Sequence, residues 1–133
     1  MSNTLKVLEV LALRGASQGN EWFKIKLSDR QEKELTTWDY KEIYAYPDLY
    51  EMLYCDLLDY GVFEALGELL FEYIPQTYNE LRVLDVACGS GLMGKFLKEK
   101  SPINVKTLVG VDILPDALTA LHRDCPNIYD EIH

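Results

Sequence analysis

A chain of 133 residues with 48% hydrophobic content and a net charge of −9 is long enough for one domain with a real core. No apolar stretch approaches the ~20 residues needed to span a bilayer. Thirteen acids against three bases fall in residues 27–80, so a nucleic-acid backbone would be repelled there, while a basic protein or a cationic or neutral small molecule would not.

In chain order, Met1 to Thr4 are polar, and residues 5–13 are interrupted by Lys6 and Glu9, which makes a poor signal peptide. The apolar residues of that stretch fit a strand or a short helix equally well. Trp22–Leu27 alternates over its second half and reads as a strand, which residues 5–13 could pair with across residues 14–20. Ser28 and Gln31 have capping-box spacing and predict a short helix running to about Leu35. Residues 1–37 are thus an N-terminal extension.

Residues 38–80 read as helical pieces. Pro47 sits at the first turn of a helix carrying Leu49, Met52, Leu53 and Leu57, and Tyr60-Gly61 is a break. Phe63, Leu66, Leu69, Leu70, Tyr73 and Ile74 mark the expected buried face of another helix, ended before Pro75. Residues 81–133 alternate strand, turn and helix twice, with strands near 81–87 and 107–112 and helices near 92–100 and 115–123.

The first of these turns carries the chemistry. Gly89-Ser90-Gly91-Leu92-Met93-Gly94 satisfies G-x-G-x-x-G, and Asp112 lies near the place of a ribose-binding acid, a combination that points to a dinucleotide. Asp85 argues against it. A pyrophosphate would sit at this turn, against the N-terminus of the following helix. Two unit charges ~5–6 Å apart repel by roughly 3 kcal/mol at an effective dielectric near 20. S-adenosylmethionine carries an ammonium and a sulfonium but no phosphate, so the same acid favours it, and the glycines let backbone approach the ligand. Asp112 suits the ribose of either cofactor.

Asp85-Val86-Ala87-Cys88-Gly89-Ser90-Gly91 resembles the first motif of class I S-adenosylmethionine-dependent methyltransferases. Gly110-Val111-Asp112-Ile113-Leu114-Pro115-Asp116-Ala117 resembles their second. The resemblance implies an α/β, Rossmann-like methyltransferase fold behind a mostly helical N-terminal region. It implies that Asp85 and the backbone of Ala87, Cys88, Gly89 and Gly91 line the methionine end of the cofactor. Asp112 would take the ribose hydroxyls, and Ile113 would pack on the adenine. The tyrosine-rich residues 38–80 resemble the segment that closes over the cofactor in many such enzymes. Leu114 departs from the serine often found there, whose oxygen caps the next helix, and Asp116 compensates through the helix dipole.

The family's sheet continues beyond the second helix, whereas only residues 124–133 follow Arg123, with Tyr129 to Ile132 as the approach to a third strand. The expected content is therefore a fold incomplete at the C-terminus, with residues 81–133 as the first half of the cofactor domain. The expected activity is methyl transfer to an O, N or C atom of a small-molecule or protein acceptor. No catalytic base is assigned. An NAD(P)-binding oxidoreductase fragment and a non-catalytic acidic interaction module are the alternatives.

Other residues carry plainer expectations. Cys55, Cys88 and Cys125 are odd in number and lack paired spacing, so neither a disulfide framework nor a zinc site is indicated and a reducing cytoplasm is expected. Cys88 reads as packing, not as a nucleophile. Asp85 and Asp112 have local alternatives, as a turn cap and as a cap of the helix at Pro115. His122 is expected at or near the surface, and His133 disordered. Glu64, Glu68 and Glu72 form a solvated helix face, or else a docking stripe for a basic partner. Tyr40, Tyr44, Tyr46, Tyr50, Tyr54 and Tyr60 read as core residues with hydroxyls at the rim, one or two of them serving as a cofactor lid.

Overall fold

Phe23, Ile25 and Leu27 alternate with Lys24 and Lys26, a period of two that suits a strand with one buried face. In the computed structural model, which describes residues 5–13, 20–75 and 77–133, these residues form β2 (Trp22–Leu27). All three apolar side chains are buried. The fold is mixed α/β and divides into two units, Met1–Tyr60 and Gly61–His133, so the division falls inside the segment read as a helical lead-in.

In the first unit, β2 is the centre of an antiparallel sheet ordered β1-β2-β3, with β1 at Val7–Ala12 and β3 at Glu32–Thr36. Pairing of Val7 with Leu27 and of Ala12 with Phe23 selects the strand reading of residues 5–13. Of the proposed connection at residues 14–20, residues 14–19 lie outside those described, as do Met1 to Thr4.

The helix expected from Ser28 to Leu35 is a turn and a strand instead. Leu27 N–H donates to the Gln31 carbonyl at 2.8 Å, and Gln31 N–H donates to Asp29 Oδ1 at 3.0 Å. Ser28 Oγ accepts from the Lys6 amide at 3.2 Å and caps no helix. The reason is long-range. A helix here would have had only Leu35 to bury, whereas the strand sets Leu35 opposite Phe23 in the core. It also brings Glu32 within 3.3 Å and Glu34 within 3.8 Å of Lys24 on the outer face. Such cross-strand ion pairs fix register more than they add stability.

Helix α1 (Tyr40–Ala45), the short α2 (Leu49–Glu51) and a π-helical turn at Met52–Leu57 complete the unit. Ile43, Leu49 and Leu53 are fully buried against Phe23, Ile25 and Leu27. Tyr44, Tyr46 and Tyr54 are also buried, while Tyr60 is exposed.

The second unit starts with α3 (Val62–Tyr73), whose N-cap is Gly61. Its expected buried face is largely exposed: Leu66, Leu69, Leu70 and Tyr73 all lie on the surface, Tyr73 at 75%. The buried residue is Gly67, which admits the Phe96 ring. An added Cβ would fall 3.3 Å from Phe96 Cζ and closer still to Cε1 and Cδ1. Phe71 stacks on the same ring, with centroids 6.0 Å apart. The helix forms with the expected period, but packing through Gly67 turns the contact away from the leucines. Glu64, Glu68 and Glu72 are exposed.

Then come β4 (Glu80–Val86), α4 (Leu92–Lys100), β5 (Asn104–Val111), α5 (Pro115–Asp124) and β6 (Glu131–Ile132). The strands form a parallel sheet ordered β4-β5-β6, and each crossover carries one helix, the connection that parallel strands require. Cys88, Leu97, Val105, Leu108, Leu121 and Tyr129 form the core. His133, expected to be disordered, is paired to the sheet: its N–H donates to the Gly110 carbonyl at 2.9 Å, and its carbonyl accepts from Asp112 N–H at 3.0 Å. Among the described residues, no helix is long and apolar enough to cross a membrane.

Candidate functional site

Parallel pairing of β4 with β5 sets Asp85 opposite Gly110, so both expected acids reach the same end of the sheet. The chain leaves β4 through a tight turn in which Ala87 (φ 61°), Gly89 (φ 55°) and Gly91 (φ 94°) are all left-handed. That conformation is free for glycine but strained for Ala87, and strain of this kind clusters at ligand-binding turns. Within the turn, Gly91 N–H donates to the Cys88 carbonyl at 2.9 Å, and Cys88 N–H donates to the Val111 carbonyl at 3.1 Å.

Asp112 fastens the turn to β5. Its Oδ2 accepts from Gly89 N–H at 2.8 Å, and its Oδ1 accepts from Leu114 N–H at 2.9 Å. Leu114 itself makes no side-chain cap, and Asp112 supplies the local carboxylate just ahead of α5. An ionised carboxylate offers about four lone-pair positions. Two are used here, which leaves acceptor capacity for hydroxyl groups. Ile113 projects beside it with 92% of its surface exposed.

Asp85 is held differently. Tyr129 O–H donates to its Oδ2 at 2.6 Å, and the same hydroxyl accepts from Gly94 N–H at 3.1 Å. Burial raises the Asp85 pKa above the ordinary 3.8; the Tyr129 hydrogen bond opposes this, and the nearby Asp112 charge adds to it. Burial and the adjacent Asp85 also push the Tyr129 hydroxyl upward, so it stays protonated and donating. The arrangement is a half-buried carboxylate whose ionised form a cation would favour.

Tyr129 went unrecognised in the sequence, though three glycines record it. A Cβ on Gly94 would lie 2.7 Å from Tyr129 Cε2 and closer still to Cζ and Oη. A Cβ on Gly110 would lie 2.9 Å from Cδ1, and one on Gly91 would lie 3.3 Å from Cε2. The ring therefore occupies the space these glycines leave.

Ser90 is the other residue missed. It is 4% exposed, and its hydroxyl has no hydrogen-bond partner among the described residues. A buried hydroxyl left unpaired costs about 1–3 kcal/mol.

Cys88 is buried, and burial with the two flanking acids pushes its thiol up to about 11. That matches a packing role, since the thiolate is the reactive form. Iodoacetamide at pH 8 is expected to alkylate the half-buried Cys55 well before Cys88 or Cys125, as read by mass spectrometry of timed digests. Cys88 modified at the Cys55 rate would contradict the packing role.

No protein-family model matches the chain, and no curated protein matches it.

Proposed function

We propose that the Gly61–His133 unit is the cofactor-binding part of a Rossmann-like, S-adenosylmethionine-dependent methyltransferase. The observation that carries this reading is the pair of carboxylates, Asp85 and Asp112, flanking one left-handed glycine turn at the end of a parallel sheet. Of the two, Asp85 beside the turn disfavours a pyrophosphate and favours a ligand with a cationic end, while Asp112 suits a ribose.

The residues present fit such a ligand. Asp85 would hold the ammonium. Asp112 would accept from the ribose hydroxyls with the lone pairs left over from Gly89 and Leu114. The exposed Ile113 would cover the adenine. When bound, the cofactor supplies a methyl group on a sulfonium leaving group, and in-line displacement by an O, N or C nucleophile depends largely on positioning. The chain's own contribution is to fix the turn through Asp112 and the Asp85 carboxylate through Tyr129.

The dinucleotide alternative rests on Gly94 and is opposed by Asp85. Gly94 completes G-x-G-x-x-G, and the Tyr129 ring packed against it requires a glycine there with either cofactor. Calorimetric titration of the full chain with S-adenosylhomocysteine and, separately, NADH tests the proposal. Binding of the first without the second is expected. NADH binding alone would overturn the reading in favour of an oxidoreductase.

A further inference from the structure

The tyrosines of the first unit form a connected array. Tyr44 stacks on Tyr50 with centroids 5.3 Å apart, Tyr50 meets Tyr54 at 4.4 Å, and Tyr54 meets Tyr60 edge-on at 6.0 Å. Trp38 stands at 87° to Tyr40, 6.2 Å away. The π-helical turn brings the end of this array back on itself, since Tyr60 N–H donates to the Tyr54 carbonyl at 2.8 Å. π-Helical turns are rare and occur frequently at functional sites.

Trp38, Tyr40, Tyr50, Tyr54 and Tyr60 together wall a cavity of 390 Å³. Trp38 is 62% exposed and Tyr60 is 46% exposed, so neither is placed to fill the core. Glu21 is the acid on the wall, and the described lining includes no basic side chain. Thr37 Oγ1 donates to Glu21 Oε2 at 3.3 Å and tethers that carboxylate to the wall. Tyr54 O–H donates to the Thr37 carbonyl at 2.6 Å and fixes its ring. Burial raises the Tyr54 pKa, which keeps the phenol neutral.

We infer that this cavity binds a small organic cation bearing a quaternary ammonium group. Aromatic faces carry the negative end of a quadrupole and attract cations, Trp most strongly, and walls of several rings are the usual receptor for methylated ammonium. The unit already uses the same interaction internally, with Lys33 Nζ 5.4 Å from the Tyr46 ring centroid. A primary ammonium needs three hydrogen-bond acceptors, whereas a quaternary one needs none, which suits an aromatic wall with a single carboxylate. An anion would meet the Glu21 carboxylate, and the other lining residues belong to the acidic segment 27–80. The site lies wholly within Met1–Tyr60, so it does not depend on the cofactor reading.

Choline is the probe, titrated into the full chain by calorimetry beside its uncharged isostere 3,3-dimethylbutan-1-ol. Choline is expected to bind about tenfold or more tightly than the isostere. Trp38→Ala should weaken choline by about tenfold, and Glu21→Gln should weaken it less. Trp38 is mostly exposed, so that variant is expected to fold, and an unchanged circular dichroism spectrum and melting curve would establish it. Equal affinity for the isostere, no heat from choline at millimolar concentration, or a folded Trp38→Ala variant with full affinity would each overturn the inference.

Discussion

Asp85→Asn is expected to weaken S-adenosylhomocysteine binding by about tenfold or more while leaving the protein at least as stable at neutral pH. The two halves of that result have one cause. Burial raises the Asp85 pKa above 3.8, so across the window from 3.8 up to the raised value the folded chain keeps a proton that the unfolded chain releases. With more protons bound in the native state, stability falls as pH rises through that window, and above it the ionised carboxylate is a standing cost. Asn removes the charge, and its carbonyl oxygen can still accept the Tyr129 hydroxyl proton. What Asn lacks is the charge that would hold an ammonium.

Binding to the parent protein should follow the same titration. Affinity is expected to fall on acidification through the raised Asp85 pKa, beginning at a higher pH than an unshifted aspartate would give. Tyr129, Asp112 and Cys88 are the other titratable groups coupled to Asp85, and Tyr129 remains protonated in this range. Calorimetry at a series of pH values, with melting curves of both proteins, checks both statements. Unchanged affinity in Asp85→Asn would remove the carboxylate from the ligand site. A large loss of stability would make Asp85 chiefly the structural partner of Tyr129.

Gly94→Ala is expected to destabilise the fold by about 2–3 kcal/mol, the upper part of the range for overpacking a closed core. Helix propensity alone gives the opposite sign, since alanine exceeds glycine by roughly 1 kcal/mol in a helix interior. Sterics win because the new Cβ would meet the Tyr129 ring, which is buried and pinned at its hydroxyl by Asp85 and Gly94. The melting temperature should drop by roughly 10 °C or more for a unit of this size. In a Tyr129→Ala background the clash is gone, so the same substitution should become neutral or favourable, and the double-mutant cycle reads the coupling directly. A Gly94→Ala protein more stable than the parent would show that the ring moves aside without cost.

The sequence by itself determined whatever depends on near neighbours in the chain. The alternation of Phe23, Ile25 and Leu27 specified β2, and the predicted span of α4 is the one observed. The break at Tyr60-Gly61 and the stop before Pro75 followed from local backbone chemistry. Asp85 and Asp112 were legible because a β-turn-α unit fixes, within about thirty residues, which acids reach the end of a parallel sheet.

Tertiary structure alone decided what depends on distant partners. Ser28 to Leu35 satisfied a local helix rule, yet Phe23 and Lys24 drew it into a strand. The leucines of α3 kept helical spacing, but the Phe96 ring found Gly67. Tyr129 is 44 residues from Asp85 and 35 from Gly94, and no periodicity links positions that far apart. The glycine turn looks like a ligand motif along its whole length in the sequence, whereas packing assigns Gly94 to a tyrosine and leaves the Ser90 hydroxyl buried and unpaired. Local propensities act over a few residues and can be read along the chain, but the competition between a helix and a strand, or a ring and a ligand, is settled by contacts that exist only after folding.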